Sequence, residues 1–338
     1  MKKTALTMSF LATLSGFASP DINIYNGSLL NQFSAITKKG ILVYKNGRKK
    51  NRIMYSRKAK TLHNHIRFTS DFFNDEFAYD SWDGKGSPIH ATYNASRFAI
   101  LDLIGLRQNA AWAKDRFIFG AGKRKGLDDM EKAIDVVAHE YTHAVIDHTS
   151  KLKYEGQSGA LNEHFADVFG SVVNQLKNPD LSNPFLIGES ILNGELADKH
   201  TALRDMMDPS RGLNAQPSHM SQLKTDAEFR KYGSFCVPSR SNDKCGVHIL
   251  SGIPNRSAAL VMSKIGAREA AKLYFNVLTS LSENSNFEDY RKAMLKECKE
   301  FAADTCYYVD EALKNVGLVD TQEIAEVTET HISEQSDI

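Results

Sequence analysis

His139, Glu140 and His143 stand in HExxH order within VVAHEYTH, and residues of these types at that spacing can do metal chemistry. On a helix the two histidines lie one turn apart and project from the same side. Two imidazoles so placed can share one zinc ion, and Glu140, beside the first, can reach a water at that ion. Ile134, Val136, Val137 and Ala138 lead in, so the segment reads as a helix with one buried face. The bland alternative is a core helix that happens to carry two histidines.

A catalytic zinc takes three protein ligands and leaves one position open. ALNEHFAD offers Glu163, with Asp167 four residues on along the same helical face. Glu163 could ligate while Asp167 accepts a hydrogen bond from a ligand imidazole and fixes its tautomer. An acidic pair at this spacing is commonly a solvated face. Here Ala160, Leu161, Phe165, Ala166, Val168 and Phe169 surround it, and unpaired carboxylates on so apolar a helix would be costly.

The elements that must position these groups divide the chain into a strand-rich half and a helical half. Residues 21 to 88 read as strands and turns. Asn46-Gly47 between two apolar-alternating runs predicts a tight hairpin. Lys45, Arg48, Lys49, Lys50 and Arg52 crowd it, which suits a solvated, aggregation-resistant edge. DFFNDEFAYDSWDGKG reads as loop and edge structure. Pro88 to Leu106 switches to helical periodicity through Tyr93, Phe98, Ile100 and Leu101. NAAW, a strand-like RFIFG and the loop AGKRKG follow. The HExxH helix is expected from near Asp129, a second helix over 160–175, and a loop-rich middle over 178–247. Helices then follow near 254–264, 267–281, 286–301 and 304–315, with Pro254 in a first turn and Asn286 and Asp304 as caps. The fold class expected is α+β, two-lobed, with the HExxH helix at the junction. The lobes are expected over 19–148 and 149–318, with an acidic tail over 319–338.

With 338 residues the chain can bury a substantial core, and a net charge of +1 with 25% charged residues favours neither nucleic acid nor an acidic partner. No apolar run in the body of the chain is long enough to span a membrane. Lys2 and Lys3 precede a mostly apolar stretch to Phe17 with small residues at Gly16 and Ala18, the pattern of a secretory signal over 1–18; a disordered amino terminus is the alternative. A secreted or periplasmic protein is therefore expected. Cys236 with Cys245 and Cys298 with Cys306 bracket two short loops, and local pairing is the simplest of three connectivities. Reduced cysteines in a cytosolic protein are the other reading.

At this point the chain resembles a known family, the thermolysin-like secreted zinc endopeptidases. HEYTH, nineteen residues, then the Glu of GALNEHFAD matches that family's zinc signature. The spacing differs by one from that of zinc aminopeptidases, whose GxMEN-type segment is missing. The likeness continues over IDVVAHEYTHAV, YEGQSGALNE, LRDMMDP and NDKCGVHILSGIPN, and SGIPN and GQSGALNE look closest to the protealysin-like branch. It covers residues 88 to 318.

The resemblance implies one catalytic zinc held by His139, His143 and Glu163, with Glu140 as general base and then acid. It implies that His248 and Tyr154 stabilise the oxyanion, that Asp243 orients His248, and that Asn162 and Asp167 hold the ligand histidines. Asn109 and Ala110 would bind substrate backbone, and Arg204 the carbonyl that follows the scissile bond. Leu127, Met130, Val136, Ile187 and Leu203 would form an apolar pocket for the residue after the cut. Singly, His248 reads as a loop histidine, Tyr154 as a packing residue, and Arg204 as a salt bridge to Asp205 or Asp208. Together, in family order, they predict a monomeric endopeptidase acting on protein or peptide substrates.

Four departures from the family pattern stand out. The segment before NAAW is short, which predicts a lost strand and a substrate strand less well backed. Asn174 replaces a calcium-bridging glutamate, leaving Asp135, Asp180 and Glu189 for at most one weak calcium site. Cys245 stands where the family usually has glycine, so a Cys236–Cys245 bridge would constrain the loop presenting Asp243 and His248. Little room precedes the strand-rich region for a long inhibitory prosegment. The rival reading is a noncatalytic descendant, a zinc-binding protein-interaction module.

Overall fold

A computed structural model describes residues 19–320 apart from Asn31, 98–105, 123–125 and Ser234. The signal segment, the basic residues of AGKRKG, the acidic tail beyond Asp320, and Phe98, Ile100 and Leu101 lie outside the described residues.

The first half is built on a sheet. Its strands are β1 (Ile22–Asn26), β2 (Ile41–Lys45), β3 (Arg48–Lys49), β4 (Ile89–Ala95), β5 (Ala110–Trp112) and β6 (Phe117–Gly120), with a short helix α1 (Gln32–Thr37) after β1. Among the described residues they form one six-stranded sheet in the order β3-β2-β1-β4-β6-β5. β1, β4 and β6 run parallel, and β2, β3 and β5 are antiparallel to their neighbours. The predicted hairpin forms at Asn46-Gly47. Both residues have positive φ, 46° and 80°, as the two-residue turn that matches strand twist requires.

Two elements correct the sequence reading. Residues 57–77, expected as strand, turn and loop, form a long helix, α2 (Arg57–Phe77), that buries Ala59, Leu62, Ile66 and Phe73. His63, Thr69 and Ser70 share the buried face, and these weak helix formers hide its period. Packing of that face against α3 and the sheet decides the matter. Ile89–Ala95, expected as helix, is instead the strand β4, covered on both faces between β1 and β6. Buried Thr92 and Asn94 are satisfied there: Thr92 Oγ1 donates to the Lys39 carbonyl at 2.8 Å and Asn94 Oδ1 accepts from Lys58 at 3.0 Å. They blur the alternation that marks a strand.

The strand expected to be poorly backed is not. All of β5 pairs with β6, with Ala110, Ala111 and Trp112 opposite Phe119, Ile118 and Phe117. Trp112 Nε1 also donates to Asp147 Oδ2 at 2.8 Å.

The HExxH helix is α3 (Ile134–His148), entered through a single 3-10 turn at Met130–Lys132. It packs along α4 (Gly156–Lys177), whose residues from Ser158 to Val173 are all buried. An apolar helix enclosed on every side suits the centre of a large core. At Gly170 a Cβ would meet the Asp135 carbonyl at 2.8 Å, so glycine there sets how closely the two helices approach. Short strands β7 (Gly126–Leu127), β8 (Leu186–Ile187), β9 (Leu192–Asn193) and β10 (Arg204–Asp205), and small helices α5 (Glu195–Lys199), α6 (Gln222–Thr225) and α7 (Ala227–Arg230), fill the middle. The chain ends in α8 (Asp243–Leu250), α9 (Gly252–Ile265), α10 (Ala267–Ser280), α11 (Phe287–Glu297) and α12 (Thr305–Asn315). Cys236 is bonded to Cys245 and Cys298 to Cys306. No described helix is long and apolar enough to cross a membrane.

Candidate metal centre and cleft

α3 carries His139 and His143 on one face, and α4 brings Glu163 opposite them. The two Nε2 atoms lie 3.0 Å apart. Glu163 Oε2 is 3.4 Å from His139 Nε2, and Oε1 is 3.4 Å from His143 Nε2. Among the described residues this is the one cluster of three such groups with donor atoms all within 4.8 Å of one another.

The residues fit a zinc ion. Glu163 is 1% exposed, and its buried Oε2 has no hydrogen-bond partner, a costly arrangement unless a cation satisfies it. Two nitrogens and a carboxylate are the donor set of an open zinc site. Each histidine is steered through its other nitrogen: His139 Nδ1 donates to Asp167 Oδ1 at 2.8 Å, and His143 Nδ1 donates to Asn162 Oδ1 at 2.7 Å. Both Nε2 lone pairs are thereby aimed at one point.

Charge at the centre is strongly biased. Burial disfavours a charged His139, yet Asp167 and Glu163 outweigh it and push the metal-free imidazole up to about 10. Burial would also raise Glu163, and His248, His143 and His139 instead hold its carboxyl well below the usual range. The site is built to receive positive charge.

Asp167 is fully buried and spoken for. Besides His139, it accepts from Arg204 Nε at 2.7 Å, Arg204 Nη2 at 2.6 Å and Asn255 Nδ2 at 2.8 Å. Burial would raise its pKa, but Arg204 and His139 hold it low. Arg204 thus pairs with Asp167, and not with the Asp205 or Asp208 considered from sequence. Asn255 closes the SGIPN motif, and the family resemblance assigns this residue no role. Its amide also accepts from the buried His164 at 3.0 Å.

The other wall of the centre is α8 and the loop before α4. His248 Nδ1 and backbone N both donate to the Asp243 carboxylate, at 2.7 and 2.9 Å. Its Nε2 is 3.0 Å from the Tyr154 hydroxyl, which itself donates to Glu163 Oε1. Burial and the Glu163 charge push the Tyr154 phenol far above its ordinary range, so the group stays a donor. Burial opposes charge on His248, but Glu163 and Asp243 raise its pKa. Asp243, Lys244, Cys245 and Gly246 run left-handed, with φ of 54°, 53°, 67° and 74°. Such a turn is unfavourable for side chains with a Cβ, and the Cys236–Cys245 bridge pins it from inside. Gln216 adds a contact with no sequence signal, its amide donating to the His248 carbonyl at 2.5 Å.

These groups open onto a cleft of about 810 Å³. Glu140 lines it, with Ala110 of the edge strand β5, Asn109 just before that strand, and Arg204. Leu127, Met130, Val136 and Leu203 also line it. Ile187 does not: it is fully buried, paired with Arg204 across β8 and β10, and so stands behind the cleft wall. The calcium set does not assemble either. Asp135 is 3% exposed, and its carboxylate accepts from the Gly188 and Val136 amides at 2.7 and 2.9 Å. Asp180 and Glu189 are exposed and form no metal-binding cluster with it among the described residues.

Comparison with known proteins agrees with this arrangement. The family profile described as thermolysin metallopeptidase, catalytic domain, matches residues 21–147, and that described as thermolysin metallopeptidase, alpha-helical domain, matches 150–318. An extracellular elastase of Staphylococcus epidermidis is 34% identical over 252 residues, which are 74% of this chain and 44% of that protein. The chain thus spans less than half the length of that relative. Neutral protease NprE of Bacillus pumilus is 31% identical over 265 residues, covering 78% of this chain and 77% of the relative. In structure, the precursor of protealysin, a metalloproteinase from Serratia proteamaculans, superposes with a TM-score of 0.74 at 25% identity over 89% of this chain and 88% of that one. With its zinc signature on α3 and α4 and both lobes matched, the chain belongs to the thermolysin family of metallopeptidases, with a protealysin-like architecture.

Proposed function

We propose that this chain is an exported, monomeric zinc endopeptidase that cuts peptides on the amino-terminal side of bulky apolar residues, with its two lobes meeting near residue 148. The observation that carries the reading is the convergence of His139, His143 and Glu163 beside Glu140, with Tyr154 and His248 facing them across one cleft. The zinc that these three residues would hold supplies a Lewis acid that polarises the scissile carbonyl and acidifies water.

The chain's own groups do the rest. An extended peptide adds to the free edge of β5, where Asn109 and Ala110 offer backbone and amide hydrogen bonds. Arg204, held by Asp167, faces the carbonyl after the scissile bond. Leu127, Met130, Val136 and Leu203 take the apolar side chain that follows the cut. Glu140 removes a proton from the attacking water and later delivers it to the departing amine nitrogen. Charge that develops on the carbonyl oxygen meets hydrogen bonds from Tyr154 Oη and His248 Nε2, with Asp243 fixing the ring. Two bridged cysteine pairs and the amino-terminal pattern of Lys2 to Ala18 support export.

Glu140→Gln tests the assignment. The variant should keep stoichiometric zinc and lose turnover, because the ligands remain while the base is gone. Loss of zinc with Glu140→Gln would show that the roles are misassigned.

A further inference from the structure

We infer that the end of the cleft opposite the apolar pocket selects peptides with an acidic side chain two or three residues before the scissile bond, through Lys114 and Lys151. The inference rests on the peptidase reading above and gives it a substrate class.

β5 sets the direction. At its start Gln108 Oε1 accepts from the Leu127 amide at 3.4 Å, so this end adjoins the apolar pocket. At its finish Trp112 is tied to Asp147, near the end of α3. A peptide lying antiparallel to β5, with the residue after the cut in that pocket, must send its preceding residues toward Trp112. Lys114 lies two residues beyond Trp112, and Lys151 lies in the loop that leaves α3; both are exposed and both line the cleft.

Two further observations set these lysines apart. Each has left-handed backbone, with φ of 63° at Lys114 and 58° at Lys151. Glycine and asparagine are the ordinary occupants of such positions, and a lysine there gains nothing for the turn. Neither ammonium has a carboxylate within ion-pair distance among the described residues, whereas their neighbour Lys153 is 3.7 Å from Glu283. The acid that lines this end of the cleft, Asp147, already accepts from Trp112. Two uncommitted positive charges therefore flank the path of the substrate.

Pairing with exposed lysines is weak and screened by salt. Together the two should favour Glu over Gln by roughly three- to tenfold in kcat/KM at low salt, expressed in KM with kcat little changed. The test compares two internally quenched peptides, alike except for Glu or Gln at those two positions. The native enzyme should prefer the Glu peptide, lose most of that preference at about 0.5 M salt, and lose it fully in the K114Q K151Q variant. Equal KM values for the native enzyme, or a preference that survives in the double variant, would overturn the inference. If neither peptide is cut, the peptidase reading fails by itself. The charge preference is then decided by fluorescence anisotropy of the same peptides on the zinc-loaded Glu140→Gln protein: tighter binding of the Glu peptide supports it, and equal binding overturns it.

Discussion

Asp167 and Arg204 form a two-point ion pair, at 2.7 and 2.6 Å, directly behind the metal-facing imidazole of His139. One carboxylate thereby links the candidate metal centre to an arginine that lines the cleft. Asp167→Asn should lower zinc affinity roughly 10- to 100-fold, because His139 loses the acceptor that fixes its ring. Arg204 loses its partner in the same step, and the buried charge left behind should cost about 3 kcal/mol of stability. Titration against a competing chromophoric chelator measures the first effect. Unchanged zinc affinity would show that Asp167 does not orient the ligand.

The Cys236–Cys245 bridge carries a functional consequence. It closes a nine-residue separation around the left-handed turn at Asp243. Cys236→Ser with Cys245→Ser should destabilise the protein by roughly 2–3 kcal/mol. Relaxation of the turn should also misplace Asp243 and with it His248, lowering kcat by about tenfold or more while zinc content stays constant. The double Ser variant of Cys298 and Cys306, neither of which lines the cleft, should lose stability alone. Equal kcat losses in the two variants would contradict a specific role for the first bridge.

Much of this was readable because it is local. HExxH and ALNEHFAD each lie on one helix, so their spacing in the chain is their spacing in space. The terminal helices were likewise legible from period and caps such as Asn286, whose side chain accepts from the Glu288 and Asp289 amides. Illegible were contacts set by packing between distant elements: Asn255 reaches Asp167 across 88 residues, and Gln216 reaches His248 across 32. α2 and β4 escape a reading from sequence for a related reason, since their buried faces include His63, Thr69, Thr92 and Asn94. Tertiary partners satisfy Thr92 and Asn94, Tyr44 packs edge-on against His63, and Thr69 Oγ1 donates back to the His65 carbonyl; none of these partners is named by local sequence pattern. Family position assigns Ile187 to the pocket, but the fold turns it inward.

Glu131 makes stability depend on pH. Its side chain is 0% exposed and neither carboxylate oxygen has a hydrogen-bond partner; Lys58, committed to Asp129 at 2.5 Å, stays 3.9 Å away. Burial and the nearby Asp129 raise its pKa from 4.5 to about 7. The folded state therefore binds this proton more tightly than the unfolded state. Stability from this group is fully present below pH 4.5 and is lost as pH rises toward 7, by up to roughly 3 kcal/mol. Glu131→Gln should remove that loss, so the variant should exceed the native protein in urea midpoint at pH 8 and match it near pH 4. Parallel midpoints at both pH values would refute the assignment.

A zinc peptidase must lose its activity when the metal is stripped. The purified protein is analysed for metal and incubated with a library of internally quenched peptides, with and without a zinc chelator. The expected result is one zinc per chain and cleavage that stops with the chelator, with bulky apolar residues following the cut. Stoichiometric zinc with no peptide cleaved, or cleavage indifferent to the chelator, would contradict it.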